Sequence, residues 1–236
     1  MPEQRRIPRE VAIVAERLGA LRDKVVFVGG AIAGLLLTDA GAPEIRPTDD
    51  VDVIAEITSM RDYYELEDNL RSIGFRHRIG PDEPICRWEI DGIIVDVMPQ
   101  QGHILGFSNQ WYPEATKSAN QVSLPSGAYI RLISPPYFLA TKLDAFHDRG
   151  HSDYRGSHDM EDVVVIIDGR SELADEIAQE QSTVKTYIAT EIAGLLADGI
   201  FIESISAHLL PDPASQARIT LVIERMRRIA KLAPNR

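Results

Sequence analysis

The spacing of hydrophobic residues changes several times in the first third of the chain. Residues 9–21 carry apolar side chains every three or four positions, which predicts an amphipathic helix. Residues 25–28 form a short β-branched and aromatic run that ends at Gly29 and Gly30, and residues 31–38 return to helix-forming types. The pattern therefore predicts a helix, a strand, a tight turn and a second helix.

A loop rich in glycine and proline then leads into a strand in which two acids alternate with valines, Asp50-Val51-Asp52-Val53. Because side chains alternate between the faces of a strand, we expect both carboxylates on one face. Neighbouring carboxylates repel each other. Solvation or protonation of one acid relieves this repulsion, and so does a divalent cation. A helix is predicted over residues 61–73.

The strongest local signal is Asp91-Gly92 between two apolar runs, which is typical of a two-residue β-hairpin turn. This turn pairs Ile90 with Ile93 and Arg87 with Asp96. The register predicts a polar face that contains Arg87, Glu89 and Asp96. It also predicts a core face made of Trp88, Ile90, Ile93, Val95 and Val97.

After one further predicted strand at residues 129–133, the chain is mostly helical. Pro135 and Pro136 suit the first turn of a helix, and four later segments show apolar spacing of three and four. We therefore predict an α+β protein with two domains. Residues 1–130 form a mixed sheet with flanking helices, and residues 131–236 form an α-helical domain.

Composition limits the class of protein. The chain has 236 residues, of which 44% are hydrophobic, and its formal net charge of −11 disfavours indiscriminate nucleic-acid binding. The single cysteine, Cys86, fits a reducing compartment. We find no secretory h-region and no apolar run long enough to span a bilayer, so we expect a cytoplasmic protein without a membrane role.

Asp96 is a candidate third carboxylate, since valines flank it as they flank the acids at 50 and 52. Three acids beside a sheet can bind Mg²⁺ or Mn²⁺, and two-metal sites hold their ions about 3.5–4 Å apart. A cross-strand ion pair with Arg87 is the alternative for Asp96. Gly29 and Gly30 lie where a phosphate can approach the backbone, or where the chain simply makes a tight turn.

These motifs together, Val28-Gly29-Gly30, Asp50-Val51-Asp52-Val53 and Val95-Asp96-Val97, resemble the DNA polymerase beta-like nucleotidyltransferase superfamily. Residues 139–146, Arg149-Gly150 and residues 157–163 resemble the helical region of AbiEii-type nucleotidyltransferases of bacterial toxin–antitoxin systems. The resemblance covers roughly residues 20–170. It departs from the superfamily in the nineteen residues between Gly30 and Asp50, a longer link than usual.

The resemblance implies a nucleotidyltransferase-type sheet and a role for each matching residue. Asp50 and Asp52 would hold the metals that bridge a nucleoside triphosphate, and Asp96 would bind the catalytic metal and help deprotonate an acceptor hydroxyl. Gly29 and Gly30 would cradle the phosphates. Lys142 would neutralise the leaving pyrophosphate, unless it is a solvated helix lysine.

Four further residues are left with two interpretations each. Arg46 and Thr48 are candidate phosphate contacts, although loop structure explains both. Asp159 and Asp162 suit the first turns of a helix, where acids complement the helix dipole, and the resemblance adds the alternative that they organise Lys142 or Arg149.

The expected reaction is metal-dependent transfer of a nucleoside monophosphate from a nucleoside triphosphate to an acceptor hydroxyl, with release of pyrophosphate. Analogy with the family suggests RNA, including tRNA, as the acceptor, a toxin role and a cognate antitoxin protein. A protein or small-molecule acceptor is also open. The alternative is a catalytically inactive module on the same fold that binds a nucleotide or a partner.

Overall fold

The computed structural model describes residues 7–42, 45–81, 83–107, 109–150 and 152–234. Contacts divide the chain into a sheet unit, Glu3–Leu35 with Arg46–Ser134, and a helical unit, Leu36–Ile45 with Pro135–Arg236. The division into domains 1–130 and 131–236 remains a prediction. The contacts add that residues 36–45 pack with the helices.

The sheet unit contains four α-helices and seven strands within its described residues. In chain order they are α1 (Arg9–Leu18), β1 (Val25–Val28), β2 (Asp50–Ala55), α2 (Met60–Ser72), β3 (Arg76–His77), β4 (Arg87–Ile90), β5 (Ile93–Pro99), α3 (Gly102–Leu105), α4 (Tyr112–Lys117), β6 (Asn120–Ser123) and β7 (Tyr129–Leu132). The strands form one mixed sheet in the order β3-β4-β5-β2-β1-β7-β6. This architecture, with the helices of the C-terminal half, confirms the predicted α+β class.

The sheet has its core around β1, whose four residues are all buried. The apolar stripe predicted on α1 is buried as well, at Val11, Val14, Ala15 and Leu18. β2 lies antiparallel to β1 and parallel to β5, so the strand that carries the two aspartates has a neighbour on each side. This central position fixes the orientation of the aspartate side chains.

The predicted hairpin is confirmed in its register. Ile90 pairs with Ile93 and Arg87 pairs with Asp96. Asp91 and Gly92 both have positive φ angles, 50° and 79°, as a type I′ turn requires.

Several short elements differ from the sequence predictions, and β3, α3 and α4 were not predicted. The helix predicted over residues 31–38 is a 3₁₀ helix, Gly30–Leu36. Its i→i+3 hydrogen bonds suit a short connection, since the chain there leaves the sheet unit within a few residues. Strand β6, which pairs with β7, was not predicted because its residues are mostly polar.

The helical unit contains α5 (Pro135–Arg149), α6 (His158–Gly169), α7 (Leu173–Gln179), α8 (Ser182–Ala197), α9 (Gly199–Ser204), α10 (Pro213–Ala217) and α11 (Ile219–Ala230). As predicted, Pro135 and Pro136 begin α5. Ser157 caps α6 by accepting a hydrogen bond from the backbone N–H of Met160. Among all the helices in the described ranges, none combines the length and the apolarity that crossing a membrane demands.

Segment 36–45 is fixed to the helical unit by backbone and side-chain contacts. The backbone N–H groups of Thr38 and Asp39 donate to the carbonyl of Gly169 at 2.8 and 2.9 Å. Arg218 donates to Asp39 at 2.8 Å and to Asp168 at 2.8 Å. Residues 36–45, the middle of the long link between the glycine pair and β2, therefore belong to a different unit from the strands that the link connects.

Candidate metal centre

One lateral row of residues crosses four neighbouring strands and brings the predicted acids together. Arg87 on β4 is paired with Asp96 on β5, and Asp96 is paired with Asp52 on β2. Asp52 in turn lies opposite Val28 at the end of β1. Because paired residues in adjacent strands project to the same face, the row places a guanidinium and two carboxylates side by side.

Asp50 completes the cluster from two residues earlier on the same strand. Carboxylate oxygens of Asp50, Asp52 and Asp96 all lie within 4.8 Å of one another. The Asp50 side chain is 36% exposed and that of Asp96 is 12% exposed, so the cluster is reached from one side. Three convergent carboxylate oxygens fit a hard divalent cation such as Mg²⁺, which prefers oxygen ligands.

Gly29 directly follows β1 and lies against the Asp52 carboxylate. Its φ angle of 74° is in the left-handed region, which disfavours every residue with a Cβ atom. Gly30, in contrast, is buried and begins the 3₁₀ helix. The structure thus explains why a glycine is needed at position 29: the Asp52 carboxylate occupies the space that a side chain would fill. The sequence did not predict this contact.

Arg87 makes the ion pair that was the alternative interpretation of Asp96. Its Nε donates to Asp96 Oδ1 at 2.9 Å and its Nη2 donates to Asp96 Oδ2 at 2.8 Å. The same Nη2 lies 3.7 Å from Asp50 Oδ2. Hydrogen bonding to Asp96 raises the pKa of Arg87 further above its ordinary value, so the guanidinium stays charged.

Glu83 extends this network and was missed by the sequence analysis. Its Oε2 lies 3.4 Å from Arg87 Nη1, and its Oε1 lies 2.7 Å from Arg78 Nη2. Glu83 belongs to the loop between β3 and β4, where no periodic pattern indicates which way a side chain points. The sequence hint of a contact between Glu83 and Arg87 was their separation of four residues. That spacing brings side chains together on a helix, and this segment is a loop.

The two predicted phosphate contacts of the loop before β2 are both half-buried. Thr48 donates its hydroxyl to the backbone carbonyl of Asp50 at 3.3 Å, so it supports the start of the metal strand. Arg46 lies two residues earlier, in the same irregular segment. A phosphate-binding role for Arg46 and Thr48 stays a prediction.

Lys142 belongs to the helical unit, where it lies between two acids. Its Nζ is 3.3 Å from Asp159 Oδ1 and 2.6 Å from Asp162 Oδ2. Arg149 donates to both oxygens of Asp159. Burial raises the pKa of Asp159, but Arg149 and Lys142 outweigh burial and leave it below the ordinary value. These contacts agree with the alternative that Asp159 and Asp162 organise Lys142 and Arg149.

Cys86 lies beside the acid cluster but is not poised to react. It is buried, and its backbone carbonyl accepts a hydrogen bond from Val97 at 2.9 Å. Burial, with the nearby charge of Asp96, raises the pKa of the thiol to about 12. The thiol is therefore protonated at neutral pH, and it carries no nucleophilic role here.

Comparison with known proteins adds nothing to this geometry: no family model matches the chain, and the search of curated proteins finds no match.

Proposed function

We propose that the protein is a metal-dependent nucleotidyltransferase of the AbiEii type. The observation that supports this best is the convergence of Asp50, Asp52 and Asp96 on one face of two parallel neighbouring strands. Three carboxylates held together repel one another, and a bound divalent cation would relieve this repulsion. The metal-dependent reaction is proposed from the sheet unit, whereas the AbiEii type rests on the resemblance of segments between residues 139 and 163, which belong to the helical unit.

In the proposed reaction an acceptor hydroxyl attacks the α-phosphorus of a nucleoside triphosphate. A bond forms between the acceptor oxygen and the α-phosphorus, and the hydroxyl proton passes to Asp96, the role that the resemblance implies for it. The bond from the α-phosphorus to the bridging oxygen breaks, and pyrophosphate leaves with the electron pair. Asp50, Asp52 and Asp96 would hold Mg²⁺, which would neutralise charge on the phosphates and lower the pKa of the attacking hydroxyl. Without metal, Asp96 is nearly buried and accepts two hydrogen bonds from Arg87, which orient its carboxylate.

Resemblance alone guides the proposal for the biological context. We propose an RNA acceptor, including tRNA, a toxin role and a cognate antitoxin, in the cytoplasm. The net charge of −11 means that RNA would have to contact a local basic surface rather than the protein as a whole.

A second candidate is a catalytically inactive module that binds a nucleotide or a partner on the same fold. The bidentate pairing of Arg87 with Asp96 favours it, since this guanidinium already neutralises one acid of the cluster. The two candidates differ in metal binding. An enzyme binds Mn²⁺ through the three acids, whereas an ion-paired structural cluster does not.

The experiment that tests the enzyme is label transfer from each α-labelled nucleoside triphosphate to total RNA in the presence of Mg²⁺. We compare the wild type with Asp52→Asn and with Asp91→Asn, a matched change in an exposed hairpin turn. Transfer and pyrophosphate release should fall on the order of 100-fold or more in Asp52→Asn and stay unchanged in Asp91→Asn. A wild type indistinguishable from Asp52→Asn would contradict the proposal for RNA acceptors.

A further inference from the structure

Arg87 is a cation in direct contact with two members of the acid cluster, Asp96 and Asp50. Its Nε and Nη2 groups donate to the two carboxylate oxygens of Asp96. The same Nη2 lies 3.7 Å from Asp50 Oδ2. These carboxylates are two of the three proposed metal ligands. The guanidinium therefore occupies the ligand atoms that a divalent cation needs.

Arg87 and a divalent cation would compete for the same carboxylate oxygens. Arg87 carries one positive charge against the carboxylates of Asp96 and Asp50, so these two acids still attract a second positive species. A divalent cation on the same oxygens would lie a few Å from a permanently charged Arg87, however, and like charges at such distances repel strongly at a partly buried site. Arg87 must therefore loosen its hold on Asp96 when a metal binds.

Glu83 is a second acceptor for the Arg87 guanidinium, at the nitrogen that does not contact Asp96. Arg87 Nη1 is already 3.4 Å from Glu83 Oε2. Arg78 holds the other oxygen of Glu83 at 2.7 Å, which keeps the carboxylate in place. The Arg87 side chain is 22% exposed, so it can change rotamer without opening a cavity in the core.

We propose that Arg87 is a displaceable counter-ion of the metal centre. Without metal it binds Asp96 and approaches Asp50, which relieves the repulsion among the acids. When a divalent cation binds, the guanidinium moves toward Glu83. The inference rests on the proposed function for the identity of the site as a metal centre, and it adds the residue that controls the affinity of that site.

The test is Mn²⁺ binding to the full chain after chelation, without nucleotide, followed by electron paramagnetic resonance of the free ion. Arg87→Gln removes the competing charge and should bind Mn²⁺ about tenfold more tightly than the wild type. Glu83→Gln removes the acceptor and should bind several-fold more weakly. Arg17→Gln is the matched control, because Arg17 pairs with Asp91 at the hairpin turn, and it should leave the affinity unchanged.

The double variant Arg87→Gln with Glu83→Gln separates this mechanism from a general charge effect. If Glu83 acts only by accepting Arg87, its substitution has no effect once Arg87 is absent, and the double variant should match Arg87→Gln alone. Additive effects of the two substitutions would overturn the exchange between Asp96 and Glu83. An affinity in Arg87→Gln equal to or weaker than that of the wild type would overturn the counter-ion itself.

Folding is checked by thermal unfolding of each variant without and with Mn²⁺. Arg87→Gln should melt at a lower temperature than the wild type without metal, and Mn²⁺ should restore most of the loss. If Arg87→Gln does not fold, Arg87→Lys keeps a charge but cannot form the bidentate pair, and it should bind Mn²⁺ more tightly than the wild type. Weaker binding by Arg87→Lys counts against the counter-ion.

The two proposals fail in different ways. If Arg87→Gln binds Mn²⁺ more tightly and adding Asp52→Asn abolishes that binding, the counter-ion is supported even if no nucleotide is transferred to RNA. Nucleotide transfer by the wild type with no change in metal affinity on substitution of Arg87 supports the enzyme and overturns the counter-ion.

Discussion

Gly29 and Asp52 fit together so closely that no side chain can be added between them. A Cβ atom built on Gly29 would lie 1.9 Å from Asp52 Oδ2 and 2.6 Å from its Cγ. The pairing of Val28 with Asp52 brings the two backbones to this distance, because Gly29 is the next residue along the chain. The glycine after β1 and the aspartate on β2 are thus one structural unit, although 22 residues separate them.

We expect Gly29→Ala to destabilise the sheet unit by about 2 kcal/mol or more and to weaken Mn²⁺ binding about tenfold or more. The added methyl group would displace the Asp52 carboxylate from the cluster, and the positive φ angle adds backbone strain. Urea unfolding followed by tryptophan fluorescence measures the first effect, since Trp88 and Trp111 both lie in the sheet unit. Titration with Mn²⁺ measures the second.

Gly127→Ala is the matched control for this change. Gly127 has a φ angle of 82° and nothing within 4 Å of a Cβ atom built on it, so its substitution adds strain without a collision. It should cost about 1 kcal/mol and leave Mn²⁺ binding unchanged. Equal metal affinity in Gly29→Ala and Gly127→Ala would show that Asp52 does not depend on Gly29.

Local sequence patterns were enough to predict the hairpin and the side of it that carries Asp96. Asp91-Gly92 fixes the turn, the turn fixes the register, and a period of two then assigns each side chain to a face. The burial of Trp88 and Val95 and the pairing of Arg87 with Asp96 follow from that one signal. The shared face of Asp50 and Asp52 follows from the same periodicity.

Strand order and the position of residues 36–45 could not be predicted in this way. Nothing local to β2 indicates that β1 and β5 are its neighbours, since that order depends on packing between distant segments. The contact of Asp39 with Arg218 joins residues 179 positions apart. Glu83 lies in a loop, and loops lack a periodic pattern. The sequence therefore could not predict the direction of the Glu83 carboxylate.

The half-buried pair of Asp39 and Arg218 makes the helical unit sensitive to acid. The hydrogen bond from Arg218 is the main cause that lowers the pKa of Asp39 from 3.8 to about 2. A carboxylate with a lowered pKa stabilises the fold above its unfolded pKa, and this stabilisation is lost as the pH falls from about 4 toward 2. We expect Asp39→Asn to lower the free energy of unfolding by about 1–2 kcal/mol at pH 7 and by about half as much at pH 3, because most of the loss occurs as the pH approaches the folded pKa.

Urea unfolding followed by circular dichroism at both pH values measures this difference. Asp175→Asn is the control, because Asp175 is 71% exposed in its pair with Arg228 and should change stability by less than about 0.5 kcal/mol. A deficit in Asp39→Asn of the same size at pH 7 and pH 3 would rule out the charge of Asp39 as its cause.

Cys86 is the single cysteine and offers a probe of local opening at β4 and β5. Because the thiol is buried and protonated, alkylation by iodoacetamide at pH 8 should be about 100-fold or more slower than in urea. Gly92→Ala strains the hairpin turn, where φ is 79°, and should speed labelling about fivefold. Gly106→Ala imposes similar strain outside the hairpin, at a φ of 80°, and should speed it less. Equal rates in the two variants would mean that labelling requires more than opening of this hairpin.

Lys142 is nearly buried and lies between Asp159 and Asp162, so its substitution should lower the stability of the helical unit. The side chains of Asp159 and Asp162 are each only 6% exposed, and Lys142 itself is 11% exposed. Lys142→Met removes the cation that lies close to Asp162. Asp159 loses the same cation but keeps its ion pair with Arg149. We expect the free energy of unfolding to fall by about 3 kcal/mol, as measured by urea unfolding and circular dichroism.

A double variant tests whether an unpaired buried charge causes that loss. Asp162→Asn in the Lys142→Met background removes the carboxylate that lost its partner, so it should recover part of the stability. Lys185→Met is the control in the same unit, because Lys185 donates to the neutral Ala178 carbonyl. If Lys142→Met is as stable as Lys185→Met, the ion pairs of Lys142 do not hold this part of the fold together, and its charge is available for another purpose.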